Sequence, residues 1–114
     1  MERVRIVPFD EVASDNSDTK QFQGATYGSS VSFFVIAGQA GEGPDAHWHP
    51  YDETFVVEEG AADFTVDGET IRVEAGHIVV VPAGVVHSFK ATGAGVLRSV
   101  NIHPVPEMET TWIE

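Results

Sequence analysis

The sequence consists of short runs rich in β-branched and aromatic residues, and each run soon ends at glycine, proline or aspartate. No segment has the apolar spacing of an amphipathic helix of several turns. Short strands separated by turn residues are typical of an all-β sandwich or barrel. The predicted strands cover residues 4–6, 30–37, 54–57, 64–66, 71–73, 78–81, 85–89 and 95–102. Together they predict one closed or nearly closed all-β domain.

Two of these runs give the clearest local predictions. Residues 64–66 and 71–73 alternate apolar with polar side chains on either side of Asp67-Gly68. Since this dipeptide tolerates the positive φ angles of a type I′ turn, the segment predicts a β-hairpin. The apolar run 78–81 is too short for a helix and predicts a strand buried on both faces. The polar stretch 10–20, with room for one helical turn, and the glycine-rich stretch 38–44 are predicted loops.

Length and charge narrow the classes of function. The chain has 114 residues, which favours a single domain over residues 1–114. Its 18 acidic and 6 basic side chains give a formal charge of −12. No basic residue lies between Lys20 and Arg72. Clustered lysine and arginine are what nucleic acids and anionic membranes attract, so we expect no nucleic-acid partner and no membrane partner.

The chain has no cysteine, which excludes disulfides, thiol nucleophiles and cysteine-ligated metals. No apolar run approaches the ~20 residues of a membrane-spanning helix. The first residues interleave charges with apolar side chains and lack the pattern of a secretory leader. We therefore expect a cytoplasmic protein.

Three histidines and one glutamate have the spacing of a metal site. His47 and His49 are two positions apart, so on a strand their side chains point to the same face. Glu53 lies four positions further on, an even offset that keeps this face, and His87 follows a later turn containing Pro82 and Gly84. Three imidazoles and one carboxylate suit one divalent transition metal: Fe(II), Mn, Ni, Co, Cu or Zn.

At this point the sequence resembles the cupin superfamily. Residues 41–60, GEGPDAHWHPYDETFVVEEG, fit the first cupin motif, G(X)5HXH(X)3-4E(X)6G, at every fixed position. Residues 76–91, GHIVVVPAGVVHSFKA, fit the second, G(X)5PXG(X)2H(X)3N, except at the last position. There Ala91 stands where the family has Asn, which puts local packing in doubt more than metal binding.

The resemblance implies a fold and a ligand set. The fold would be a jelly-roll β-barrel, or double-stranded β-helix, with two packed antiparallel sheets. The ligands of one metal per chain would be His47, His49, Glu53 and His87. Small cupins usually form homodimers, and the exposed-looking Trp112-Ile113 end would suit burial in such an interface.

Several functions fit such a site. The first is a mononuclear metal-dependent enzyme of dioxygenase type that acts on a small molecule. The alternatives are a non-redox isomerase, cyclase or decarboxylase, and a non-enzymatic small-molecule-binding or sensor cupin. No general base stands out beyond the ligand set, so catalytic residues are left unassigned. Arg98 and His103 have opposite strand parities, so only one of them can face the metal, and the sequence does not decide which.

Overall fold

The computed structural model describes residues 4–14 and 18–113, and nearly all of its regular structure is strand. The strands are β1 Lys20–Phe22, β2 Ser32–Gly38, β3 His47–Trp48, β4 Glu53–Glu59, β5 Ala61–Val66, β6 Glu69–Glu74, β7 His77–Val81, β8 His87–Thr92, β9 Leu97–His103 and β10 Thr111–Trp112. A 3-10 helix at Phe9–Glu11 and a four-residue helix, α1, at Gly24–Tyr27 are the helical segments of the described residues. No helix of the described residues is long and apolar enough to cross a membrane.

The strands form two five-stranded antiparallel sheets. The first has the order β1-β2-β9-β4-β7, and the second has the order β10-β3-β8-β5-β6. Neighbours within each sheet are mostly distant in sequence, as in a jelly roll, where the chain alternates between the two sheets. The predicted all-β jelly roll with two packed antiparallel sheets is confirmed.

The core lies between the two sheets and is built from alternate strand residues. Phe55 of β4, Phe64 of β5 and Phe89 of β8 form an aromatic cluster, in which the Phe55 ring meets the Phe64 ring edge-on at 5.0 Å between centroids. Val57 and Leu97 complete its buried surroundings. The same inward-facing rows of β4, β8 and β9 also carry polar residues near one end of the barrel, so the core and the candidate site share these strands.

The predicted hairpin is confirmed as β5 and β6. Val66 pairs with Glu69 across the turn, and Asp67 and Gly68 have φ angles of 52° and 80°. Positive φ at both central positions is the type I′ geometry that aspartate and glycine permit.

The predicted first strand is wrong. Residues 4–8 form no strand, and both Val4 and Ile6 are exposed. The edge of the sheet next to β2 is taken instead by β1, which pairs Gln21 with Phe34. The predicted loop 10–20 contains the end of the 3-10 helix, an isolated bridge from Ser14 to Lys20 and the first residue of β1; its residues 15–17 lie outside the described residues.

The run 78–81 is a strand, as predicted, but it is not buried on both faces. It forms β7 at the edge of the first sheet, where Val81 points into the core. Ile78 and Val80 point outward and are 67% and 59% exposed. A continuous apolar run therefore does not separate a central strand from an edge strand with an apolar outer face.

Phe64 and Ile71 are direct partners across the hairpin and provide a test of where the core ends. Phe64 is 3% exposed and Ile71 is 52% exposed. We expect Phe64→Ala to lower the free energy of unfolding by about 3–5 kcal/mol, because it opens a cavity among the core phenylalanines. The matched change Ile71→Ala is expected to cost less than about 1 kcal/mol, since little apolar surface is lost. Urea titrations followed by circular dichroism measure both, and equal losses would place the core boundary elsewhere.

Candidate metal centre

The structure brings His47, His49, Glu53 and His87 together. One potential ligand atom from each side chain lies within 4.8 Å of those of the other three, and all four side chains are buried. The predicted proximity is therefore found, whereas metal binding by these residues stays a prediction. The group lies where the two sheets meet, because β3 and β8 belong to the second sheet and β4 to the first.

Backbone contacts hold the segments that carry these side chains. His47 of β3 is the Cα partner of His87 in β8. The turn before β8 is attached to the other histidine, because Gly84 N–H donates to the His49 carbonyl oxygen at 2.8 Å. Gly84 has a φ of 80°, a conformation that glycine adopts without strain. The Asp52 carboxylate accepts a hydrogen bond from the Ala83 N–H at 2.9 Å and so fixes the same turn.

The three histidines share one orientation. In each, the Nδ1–H donates to a backbone carbonyl, which fixes the proton on Nδ1 and leaves the lone pair of the neutral ring on Nε2. The acceptors are Asp45 O for His47 at 2.7 Å, Glu109 O for His49 at 2.7 Å and Val85 O for His87 at 2.9 Å. All three rings are thus prepared to bind a cation through Nε2.

The Glu53 carboxylate lies among these rings. Its Oε1 is 3.0 Å from His49 Nε2 and 3.2 Å from His87 Nε2. Burial by itself would raise the pKa of Glu53, but His103, His49 and His87 outweigh burial and hold that pKa well below its usual range. Glu53 is therefore an anion. At this distance the carboxylate needs a positive partner, either a proton on a ring nitrogen or a bound cation.

The histidine pKa values differ with their surroundings. Burial lowers the pKa of His47, and the nearby His87 and His49 rings add to this effect. Burial also disfavours the charged form of His49, but the Glu53 carboxylate and the Glu109 carbonyl outweigh it and raise the pKa of His49. His49 therefore takes a proton more readily than His47 does.

The structure decides between Arg98 and His103. Arg98 is exposed and pairs with Glu59 on the outer surface, whereas His103 is buried with its Nε2 3.1 Å from Glu53 Oε2. The Tyr51 hydroxyl lies 2.6 Å from His103 Nδ1. Burial raises the pKa of Tyr51, so its hydroxyl keeps its proton and can donate it to Nδ1. The N–H of His103 then faces Glu53, unlike the lone pairs of the other three rings.

Sequence analysis did not identify Tyr51. The signal that could have found it is parity, because Tyr51 lies two positions from both His49 and Glu53. Its ring stacks on His49 with centroids 5.2 Å apart and an interplanar angle of 9°. Tyr51 therefore contacts a candidate ligand directly and supports Glu53 through His103.

The C-terminal segment, defined here as residues 104–113, forms part of the site. Besides the Glu109 carbonyl on His49, β10 pairs with β3, and the Trp112 ring lies 5.0 Å from the His47 ring. The sequence suggested Trp112 only for a subunit contact, whereas the structure places its ring beside His47. Met108, Thr110 and Trp112 also line a cavity of about 740 Å³ that reaches His47, His49 and Glu53.

Ala91 stands where the second cupin motif has Asn, and its backbone still anchors the loop that contains Gly41 and Glu42. Ala91 is buried in the core, its N–H donates to Glu42 O at 2.8 Å, and its carbonyl accepts from Gly41 N–H at 2.8 Å. Both contacts are made by the backbone, so they do not depend on an asparagine side chain.

The chain is similar to two proteins of Streptomyces. The chain is 35% identical over 77 residues to "Polyketide synthase CurC" of Streptomyces cyaneus, and the match covers 66% of this chain and 50% of that protein. It is 32% identical over 98 residues to "Protein SchB" of Streptomyces halstedii, covering 81% and 71% of the two chains. The chain thus spans about half the length of the first relative and most of the second.

Among solved structures, the oxalate decarboxylase of Lactobacillus farciminis in its formate complex is similar with a TM-score of 0.78. Its sequence identity is 17%, and the match covers 91% of this chain and 34% of that one, so the likeness concerns the fold. The Cupin domain family matches residues 32–103, which include both motifs and the four clustered side chains. The chain belongs to the cupin family.

Proposed function

We propose that His47, His49, Glu53 and His87 bind one divalent transition metal. The support is the shared orientation of the three rings, whose Nε2 lone pairs and the Glu53 oxygen converge on one region. His49 Nε2 is buried, and the group it faces at 3.0 Å is the Glu53 carboxylate, so a cation there would meet both donors. Three nitrogen donors and one carboxylate suit Fe(II), Mn, Ni, Co, Cu or Zn.

In this proposal Tyr51 and His103 act as positioning residues. Because the inward N–H of His103 meets Glu53 Oε2, the carboxylate presents Oε1 to the region between His49 and His87. Partners behind the ligands fix ligand orientation and commonly change metal affinity by about 10–100-fold. The Tyr51 hydroxyl also accepts from the Glu109 N–H at 3.2 Å, which connects this support to the C-terminal segment.

For the activity, we propose a mononuclear metal-dependent enzyme of dioxygenase type that acts on a small molecule. The carrying observation is that three of the four donors, His47, His49 and Glu53, line the cavity rather than lying in a closed core. Four donors leave an octahedral metal short of its full coordination, and with Glu53 the site would carry a formal charge of about +1. Such a metal supplies Lewis acidity and redox chemistry towards O₂ and an enol or similar anion. The Streptomyces cyaneus relative is called a polyketide synthase, which also supports small-molecule chemistry.

The ligand assignment predicts which histidines control metal content. We expect protein purified without added metal to hold one metal per chain, and His49→Ala or His87→Ala to weaken binding by at least about 100-fold. The matched control is His77→Ala, because His77 is an exposed histidine outside the cluster. Elemental analysis and metal titration measure the effect. Unchanged stoichiometry in both ligand variants would show that the assignment is wrong.

Metal identity and oxygen consumption test the reaction type. We expect iron in the purified protein, and O₂ uptake that requires both iron and an added enolic or catecholic compound. An oxygen electrode measures uptake, with iron-treated His87→Ala as the control. Zinc as the native metal, with no uptake after iron reconstitution, would contradict the dioxygenase type. Turnover of substrate without O₂ would instead indicate the non-redox alternative.

We also propose that two copies associate through the outer face of the first sheet. From β2 to β7, two rows of directly paired residues carry no charged side chain, and Lys20 of β1 flanks the first row beside Val35. The paired residues are Val35, Val100, Val56 and Ile78 in the first row, and Phe33, Ile102, Thr54 and Val80 in the other. In a chain of formal charge −12, an uncharged apolar face is where a second copy can approach without repulsion.

The proposed homodimer makes a simple prediction. We expect wild-type protein to scatter light as a dimer and Val56→Asp to scatter as a monomer, because the new charge would be buried against its copy. Val4→Asp, which alters an exposed valine outside the sheets, is the control. A monomeric wild type at high concentration would rule out this interface.

A further inference from the structure

The cavity beside the four clustered side chains is far larger than a small acid requires. At about 740 Å³ it lies in the range of pockets that hold drug-sized molecules. A two-carbon acid would leave most of this volume to water. The size of the cavity therefore indicates a ligand whose hydrocarbon body is large compared with the oxygens that would face the metal.

The charges on the cavity wall point the same way. Its charged lining residues, among those the structure describes, are Glu42 and Glu53, and no lysine or arginine lines it. With a divalent metal the two carboxylates bring the formal charge of the cavity to about zero. Carboxylate recognition normally uses arginine or lysine, so a dianion has no partner here. A neutral molecule, or one with a single ionised oxygen at the metal, meets no such penalty.

The wall is about half polar and half apolar, and its apolar part is partly aromatic. Phe34 and Ile36 come from β2, Phe89 from β8, and Met108 and Trp112 from the C-terminal segment. Asn101 adds a polar point, because its Oδ1 accepts from Ser99 Oγ at 2.7 Å and nothing in the described ranges accepts from its Nδ2. Apolar and aromatic side chains with placed polar groups suit a molecule with an apolar body and oxygen substituents.

Trp112 is the side chain best placed to recognise a ring. It is 57% exposed, lies at the cavity and makes its one ring contact within the described residues with His47. Because tryptophan offers a broad flat face to aromatic partners, a ring stacked there would lie directly beside a candidate ligand.

We infer that the cavity takes a flat, ring-bearing molecule that is neutral or singly negative, with its ring against Trp112 and an oxygen directed at the His47, His49, Glu53 and His87 group. This inference rests on the proposed function for the direction of the oxygen. The ring contact depends only on the cavity wall. For a small dicarboxylate the same wall offers no lysine or arginine and leaves most of the cavity unfilled.

The chain offers a matched control for the ring contact. Trp48 and Trp112 are its two tryptophans, and they lie on the paired strands β3 and β10. Trp48 does not line the cavity and belongs instead to a separate shallow groove with Pro50. A change at Trp48 therefore removes the same side chain from the same pair of strands without altering the cavity.

Alizarin, a flat three-ring dye with adjacent oxygens, is the probe for the test. We expect the zinc-loaded protein to bind alizarin in absorbance titrations, with about tenfold weaker binding for Trp112→Ala, partial recovery for Trp112→Phe and less than a twofold change for Trp48→Ala. Oxalate at the same concentration is expected not to displace the dye. Thermal melts check that each variant is folded.

Other outcomes separate this inference from the metal proposal. Zinc uptake with no alizarin binding, equal losses in both alanine variants, or displacement by oxalate would overturn the inference while the metal site stands. If zinc is not taken up, the metal proposal fails, and fluorescence of metal-free protein decides the ring contact. Trp48→Phe leaves Trp112 as the single tryptophan, and Trp112→Phe leaves Trp48. Alizarin is then expected to quench the fluorescence of the first variant more than that of the second. Equal quenching would overturn the inference.

Discussion

The rest of the site depends on the burial of one carboxylate. Glu53 is 3% exposed, and removing an anion from water costs several kcal/mol unless nearby groups compensate. The compensation comes from rings on three other strands or loops: His49, His87 and His103. Each ring is in turn fixed by a hydrogen bond behind it, so the constraint spreads outward from Glu53 through the imidazoles to the backbone. A substitution that leaves this charge buried without its partners would destabilise the fold as well as the site.

Local chemistry made much of this architecture predictable. Asp67-Gly68 fixes its own turn, so the hairpin followed from neighbouring residues alone. The motif positions of His47, His49, Glu53 and His87 likewise placed these side chains in one group. The strand expected near Ile6 failed because a strand needs a partner, and β1 takes the position beside β2. The exposure of Ile78 could not be predicted for a similar reason, because an apolar run does not show whether its strand lies in the middle or at the edge of a sheet.

What the sequence could not show are contacts between distant segments. His103 and Arg98 lie on opposite faces of β9. Which of them faces Glu53 depends on the register between β9 and β4, which the sequence does not give. The role of the C-terminal segment was hidden as well, because a backbone carbonyl, that of Glu109, makes the contact and leaves no trace in residue type. A motif search records side chains, whereas part of the support of this site comes from the main chain.

The contact between His49 and the Glu109 carbonyl also sets an order of events. The two residues are 60 positions apart, and Tyr51 contacts the same residue. During synthesis, His47, His49, Glu53 and His87 all leave the ribosome before the segment that orients one of them. The His49 ring therefore reaches its final orientation only after Glu109 has been added to the chain, so the geometry of the four-residue group depends on a segment made well after the motif itself.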